Sequence, residues 1–110
     1  MKFNANDYVW SGDPSVISGN CYVGDNSQNA KDGKFILTNS QIIVSSAESL
    51  TIIPLKFIAH LSSEKSGYGS GRYLRIYTCS HTALTLYFPD APAWLEWMEK
   101  IVKEISKRIG

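Results

Sequence analysis

The strongest constraint on the fold is the position of one amphipathic helix, which the sequence predicts over residues 91–109, at the C-terminal end of the chain. Apolar residues recur there every three or four positions and form one stripe along the helix surface. Asp90 and Pro92 are typical of a helix start. The stripe consists of Trp94, Leu95, Met98, Ile101, Val102, Ile105 and Ile109. A helix of this kind must bury one side against the rest of the chain.

The residues before that helix have the pattern of short strands. Segments 34–38 and 41–45 are β-rich, and the two residues between them, Asn39 and Ser40, predict a tight hairpin. Further strand-like segments recur at roughly ten-residue spacing, which is typical of an all-β meander or barrel. They lie within residues 16–23, 50–53, 57–63, 72–78 and 83–88. We therefore expect a mainly β fold, a barrel or bent sandwich of about seven antiparallel strands, capped by the C-terminal helix.

Turn residues separate these segments. The polar stretch 24–33 is expected to form an exposed loop, and Pro54, which has no N–H to donate, predicts an edge or a break in the sheet. The glycine-rich stretch 67–71 predicts a flexible turn and not a phosphate loop, because a strand and not a helix follows it. Residues 1–20 carry weaker signals: a short turn of helix or strand, a loop, and the start of the first strand.

Alternation within one strand makes a specific prediction. From residue 57 onwards, Phe57, Ala59 and Leu61 are expected on one face of the sheet, and Ile58 and His60 on the other.

The length and composition are those of an ordinary globular domain. A chain of 110 residues is the size of one domain, and we expect a single domain over residues 1–110. No apolar run approaches the roughly 20 residues that a membrane-spanning helix needs. The first residues lack the apolar segment of a secretory signal peptide, so a cytoplasmic protein is expected. The two cysteines, Cys21 and Cys79, are too few for a disulfide scaffold and are expected to stay reduced.

The charges are divided unevenly along the chain. Residues 1–54 carry three lysines against five acids, whereas residues 55–110 carry eight basic residues against five acids. Nucleic-acid-binding domains usually show a dense basic stripe, and here the basic residues are scattered. We therefore expect no nucleic acid partner.

Two segments of the chain resemble a known family. Residues 35–44, FILTNSQIIV, resemble the strand, Leu-Thr, turn, strand element of bacterial pleckstrin-homology-like and GRAM-like domains, and residues 53–58, IPLKFI, resemble the element that follows it. The strands at 72–78 and 84–88 and the terminal helix then come in the family's order. The resemblance spans roughly residues 34–109.

This resemblance implies two nearly orthogonal antiparallel sheets capped by one C-terminal helix. It also implies a binding role, since members bind lipids, peptides or other proteins and some bacterial members assemble into rings, although fold alone does not fix function. Phosphoinositide-binding members carry a basic motif around the first hairpin loop. Here Lys31 and Lys34 are accompanied by Asp25 and Asp32, which argues against phosphoinositide binding.

No set of residues predicts catalysis, a bound metal or a cofactor. Asp7, Asp13 and Asp25 lie in polar loop sequence, whereas catalytic carboxylates need surroundings that separate their pKa values. Cys79 and His81 are the nearest approach to a nucleophile or metal pair. A structural zinc site needs four ligands, however, and a catalytic thiol needs a neighbouring base. We expect no enzyme activity and no cofactor.

The most prominent basic set is Lys56, Lys65, Arg72 and Arg75. Lys65 and Arg72 flank the glycine-rich turn, where an anionic lipid headgroup or an acidic partner can dock. The same residues also fit ordinary solvated strand edges, on which lysine discourages pairing with other chains. Both interpretations stay open from the sequence.

Aromatic residues mark a second candidate surface. Alternation places Tyr73, Tyr77 and Tyr87 opposite the inferred core residues, with Arg75 among them. Tyr and Arg are enriched at interface hot spots because each combines contact area with hydrogen bonding. These side chains either form a partner surface or are covered within the fold.

Together these observations predict a non-enzymatic protein-interaction module in a bacterial or phage cytoplasm, an adaptor or an inhibitor, with self-association as one form of that interaction. The alternative is a peripheral membrane domain that binds anionic lipid. The candidate contact residues are Lys56, Lys65, Arg72, Tyr73, Arg75, Tyr77 and Tyr87.

Overall fold

Residues 3–66 and 70–109, which this computed structural model describes, contain seven antiparallel strands and one α-helix. Two short 3-10 turns, Ala5–Tyr8 and Leu55–Phe57, accompany them. The elements are β1 Ser15–Val23, β2 Lys31–Thr38, β3 Gln41–Ser46, β4 Leu50–Pro54, β5 Ile58–Lys65, β6 Arg72–Thr78, β7 Ala83–Phe88 and α1 Pro92–Ile109. The strands form one sheet in the order β4-β3-β2-β1-β7-β6-β5. The predicted mainly β fold with a C-terminal helix is confirmed.

The sheet consists of two meanders, β1–β4 and β5–β7, which join where β1 pairs with β7. The joint is formed by the pairs Tyr22–Tyr87 and Val23–Leu86 at the end of β1. Helix α1 packs beside the preceding part of β1, where the Trp97 indole N–H donates to the Asn20 carbonyl at 2.9 Å. A Cβ at Gly19 would lie 2.8 Å from the Trp97 ring, so glycine at this position permits the close approach of the helix.

The main core lies between the inner face of the sheet and the apolar stripe of α1. Its fully buried side chains each contribute about 1.5–3 kcal/mol relative to exposure. They are Phe35, Leu37, Ile42, Leu74, Ile76, Leu86, Phe88, Ile101 and Ile105. The radius of gyration, 13.1 Å, equals the value of about 13 Å expected for a compact domain of this length. Over the described residues, no helix is long and apolar enough to cross a membrane.

A second, smaller cluster lies on the outer face of the first meander. There Ile36 and Ile43 are buried beneath Ala5, which is itself fully buried. The Ala5 N–H donates to the Ser45 hydroxyl at 3.1 Å, which fixes this segment to β3. We call residues 4–10 the N-terminal strap, because they cover this face of the sheet.

Asp13 holds the chain that follows the strap against the β2–β3 hairpin. Its carboxylate accepts hydrogen bonds from the Thr38 hydroxyl at 2.6 Å, from the Asn39 N–H at 3.1 Å and from the Ser40 hydroxyl. Hydrogen bonds from Ser40 and Thr38, in that order of strength, lower the pKa of Asp13, although the small loss of solvation opposes them. The hairpin itself forms as predicted, with Asn39 and Ser40 as its turn.

The polar stretch predicted as an exposed loop over 24–33 is shorter and better ordered than expected. Strand β2 already begins at Lys31. Asn26 is buried, and its side-chain oxygen accepts the N–H groups of Gln28 and Asn29 at 2.9 and 3.0 Å. The polar residues therefore build a compact turn, because Asn replaces backbone acceptors within it.

The alternation predicted from residue 57 is wrong at its start. Phe57 belongs to a 3-10 turn and is 50% exposed, whereas Ile58 is buried in the core. A register shift between Ile58 and His60 then moves Leu61 to the core side as well. A bulge of this kind inserts an extra residue, so strict alternation fails across it.

Pro54 ends β4, an edge strand, as its missing N–H predicted. Within the glycine-rich turn predicted at 67–71, residues 67–69 lie outside the described residues. Gly71, in the described part, has φ +101°, a conformation that side chains disfavour.

Candidate functional site

The outer face of β5 and β6 carries a continuous row of aromatic and basic side chains. The Arg75 guanidinium lies 4.7 Å from the centre of the Tyr73 ring. The Tyr77 ring stacks on His60, with centroids 4.5 Å apart and an angle of 19° between the planes. We call Tyr73, Arg75, Tyr77 and His60 the tyrosine–arginine ladder.

Strand register creates this row. Tyr73, Arg75 and Tyr77 alternate with the buried Leu74 and Ile76 along β6 and therefore point to the outer face, as predicted. Antiparallel pairing sets His60 opposite Tyr77. The three β6 side chains are half-buried, because each rests on its neighbours.

Hydrogen bonds fix the ladder in one arrangement. The Tyr73 hydroxyl donates to the Glu64 carboxylate, and this bond raises the pKa of Tyr73. A hydrogen bond with Tyr77 raises the pKa of Arg75, since it stabilises the charged guanidinium. Side chains held in this way lose little conformational entropy when a partner binds.

In the described part of the chain, no carboxylate forms an ion pair with Arg75. Among the described residues, the ion pairs within 4.0 Å are those of Glu104 with Lys107 and Arg108. Asp25 acts on Arg75 from a greater distance and as the weakest of the influences on its pKa. A guanidinium has five N–H donors, so Arg75 keeps the capacity to bind an external carboxylate.

Tyr87, also a predicted contact residue, is covered by the chain itself. It is 5% exposed, and its hydroxyl donates to the Ser70 carbonyl at 2.8 Å. A Cβ at Gly71 would lie 2.6 Å from this hydroxyl oxygen. The Tyr87 side chain thus packs against the turn before β6, and it offers little surface to a partner.

The four predicted basic residues do not form one patch. Arg72 lies on the core side of the sheet, where its guanidinium donates to the Ser63 hydroxyl and carbonyl, each at 3.4 Å. Lys56 lies before β5, over the Phe57 ring, and Lys65 ends the strand. An eight-residue strand separates these lysines by roughly 25 Å. Arg75 alone of the four belongs to the ladder.

The cysteine and histidine near residue 80 form no recognisable reaction centre. Cys79 is exposed in the β6–β7 turn, and His81 occupies a left-handed backbone conformation, φ 66°, within it. Over the described residues, no three His, Cys, Asp or Glu side chains converge as metal ligands do. Cys21 is buried, and burial raises the pKa of its thiol to about 12, which makes it unreactive.

Sequence reasoning missed an apolar groove of about 670 Å³ beside β4. Its floor includes the buried Ile53 and Leu84, and its rim includes the exposed Ile52 and Phe57. All eleven lining residues are uncharged, and Cys79 is one of them. Pro54 signalled the strand edge, but no local pattern signals that the distant β6–β7 turn faces it.

Comparisons with known proteins leave the function open. No family model matches the chain, and no curated protein matches it. Among solved structures, the chain is similar to the crystal structure of the C-terminal domain of an unknown protein from Leishmania infantum. The two are 14% identical with a TM-score of 0.66, and the match covers 86% of each chain. At that identity the likeness shows the fold alone.

Proposed function

We propose that this chain is a non-enzymatic protein-interaction domain, an adaptor or an inhibitor, on a pleckstrin-homology-like scaffold. The tyrosine–arginine ladder carries the proposal, because it is an ordered, half-exposed set of hot-spot residue types that the core does not use. Two meanders followed by one terminal helix are compatible with the scaffold that residues 35–44 and 53–58 resemble.

The ladder favours a partner with an acidic side chain beside an apolar or aromatic one. Arg75 offers N–H donors for a carboxylate, and charge-assisted hydrogen bonds of this type are about twice as strong as neutral ones. Tyr73 and Tyr77 flank Arg75 and offer ring surface for the neighbouring side chain. Glu64 accepts the hydrogen bond of the Tyr73 hydroxyl, and it forms no ion pair with Arg75 among the described residues.

Binding to an anionic membrane is the competing function. It requires several cations on one surface, because each Lys or Arg near the membrane contributes only about 1 kcal/mol. Lys56 and Lys65 lie at opposite ends of β5, and Arg72 lies on the other side of the sheet from Arg75. This distribution favours the protein partner over the lipid.

Selection from a displayed peptide library tests the proposal with a defined probe. We expect binders enriched in Asp or Glu next to an aromatic or apolar residue. Arg75→Ala should weaken a selected peptide roughly tenfold to a hundredfold in calorimetry, since a hydrogen bond to a charged group contributes about 1.5–3 kcal/mol. Lys103→Ala, on the exposed face of α1, is the matched control and should leave the affinity unchanged.

Two outcomes would count against the proposal. One is a set of binders that Arg75→Ala and Tyr77→Ala bind as tightly as the wild type does. The other is salt-sensitive flotation with vesicles containing phosphatidylserine, together with no flotation on neutral vesicles and no peptide binder. That combination would favour the membrane function.

A further inference from the structure

We propose a second interaction surface, independent of the tyrosine–arginine ladder: the free edge of β4 pairs with the β4 of a second copy of this chain, antiparallel and centred on Ile52. The observations behind this are the free backbone groups of that edge, its lack of charge, and the charges that lie at its two ends.

Two backbone hydrogen bonds at the ends of β4 establish which of its backbone groups are free. The Leu55 N–H donates to the Ser40 carbonyl at 2.9 Å, and the Ser46 N–H donates to the Ser49 carbonyl at 2.8 Å. Hydrogen-bonded pairs alternate in an antiparallel ladder, so Thr51 and Ile53 between them also direct their backbone groups to β3. Leu50 and Ile52 therefore direct their N–H and C=O groups away from the sheet.

The side chains of this edge do not protect it. Natural edge strands usually carry lysine, proline or inward-pointing charge along their length. The five residues of β4 are uncharged, Pro54 stands at the very end, and Ile52 is 40% exposed. The adjoining groove is uncharged as well. An uncharged strand matches this edge, and β4 itself is one.

A two-fold axis at Ile52 satisfies the free N–H groups. The two Ile52 residues exchange two hydrogen bonds, and each Leu50 N–H donates to the Pro54 carbonyl of the other copy. Pro54 has no N–H to donate in return, so each Leu50 carbonyl, at the end of the ladder, stays open to water. The result is an isologous contact, the commonest kind in homodimers.

Charge complementarity selects this register. With Ile52 opposite its own counterpart, Glu48 in the turn before β4 of one copy and Lys56 in the 3-10 turn after β4 of the other come to the same end of the ladder, and the symmetry makes this approach twice. Both residues are exposed, and neither forms an ion pair among the described residues. In the neighbouring register, centred on Thr51, Glu48 shifts towards Pro54 of the other copy and Lys56 shifts past the end of β4, so both charge pairs are lost.

Sedimentation velocity over about 10 μM to 1 mM tests the proposal. This range is high because a dimer joined along one short strand has a small interface, and small interfaces form weak complexes. We expect a concentration-dependent monomer–dimer equilibrium for the wild type. Ile52→Lys should abolish it, because two lysines then meet at the two-fold axis. This side chain is exposed, so the variant should fold, and its thermal melt verifies this.

Charge reversal provides the decisive comparison. Glu48→Lys or Lys56→Glu alone should weaken the dimer roughly tenfold, since each creates two repulsive pairs in place of two attractive ones. The double exchange should restore wild-type affinity. Glu99→Lys and Lys100→Glu, exposed on α1, are the matched controls.

A monomer at every concentration overturns the proposal, as does a dimer that survives Ile52→Lys or ignores the charge reversals. Tyr77→Ala should leave the dimer intact, so this result does not depend on the partner site of the ladder.

Discussion

The two meanders of the sheet treat their outer faces in opposite ways. The first meander has an apolar outer face, Ile36 and Ile43, which the N-terminal strap covers and Ala5 seals. The second meander has an outer face of half-buried Tyr and Arg side chains and the exposed His60, which contact one another. An apolar face must be covered for stability, whereas an amphipathic face is stable in water and still suited to binding. The difference indicates where a partner would bind.

Both meanders share one inner core. Ile101 is fully buried at the centre of that core. Ile101→Asp should abolish cooperative unfolding, because an unpaired buried charge costs several kcal/mol and a domain of this size has about 5–15 kcal/mol in total. Circular dichroism melts measure this. Lys100→Asp, the exposed neighbour, should melt near the wild type, and a cooperative Ile101→Asp melt at that temperature would contradict the helix-capped core.

On the covered face, Ile43 should behave as a core residue although it points away from the main core. Ile43→Ala should lower the free energy of unfolding by about 2–4 kcal/mol, through lost burial and the cavity left beneath Ala5. Urea denaturation gives this value. A loss below about 1 kcal/mol, the range of surface substitutions, would mean that the strap does not seal this face.

Asp13, which follows the strap, should make the stability of the fold sensitive to acid. Hydrogen bonds from Ser40 and Thr38 lower its folded-state pKa, so the carboxylate stabilises the fold above the unfolded pKa of about 3.9, and this contribution is lost as the pH falls through the folded value. Asp13→Asn should be less stable than the wild type at pH 7, with a difference that shrinks below about pH 4. Urea midpoints at pH 7, 5 and 3 measure this.

A single donor can be removed as a check on the cause. Ser40→Ala deletes the stronger of the two hydroxyl bonds and should give an intermediate pH dependence. If the difference between Asp13→Asn and the wild type stayed constant from pH 7 to pH 3, the carboxylate charge would not be the stabilising feature.

Local periodicity explains what the sequence predicted well. The helix stripe and the Asn39–Ser40 hairpin depend on spacings within one segment, and both are confirmed. The outward direction of the ladder residues could be predicted in the same way, because alternation about Leu74 and Ile76 directs Tyr73, Arg75 and Tyr77 to the outer face.

The structural features that the sequence did not predict depend on contacts between distant segments. The strap buries Ala5 against β2 and β3, about thirty to forty residues further along the chain, and the strap itself contains no long apolar run. Tyr87 alternates outward like Tyr77, but the backbone of Ser70 and Gly71 lies against its side chain. Lys56, Lys65 and Arg72 are far apart because they lie at different strand ends and on different faces of the sheet. Composition does not predict these positions.

The smallest change in the free energy of unfolding is expected on the uncovered face of the second meander. Tyr77→Ala on the uncovered face should change the free energy of unfolding by only about 1 kcal/mol, because the aromatic stack with His60 and the hydrogen bond with Arg75 that it removes are both open to water and no enclosed cavity is left. Tyr77→Phe, which keeps the ring, should be closer still to the wild type. Urea denaturation of both variants and of Ile43→Ala measures how much each face contributes to the free energy of unfolding. If Tyr77→Ala cost as much as Ile43→Ala, the ladder would be a structural element, and its order would no longer argue for a partner.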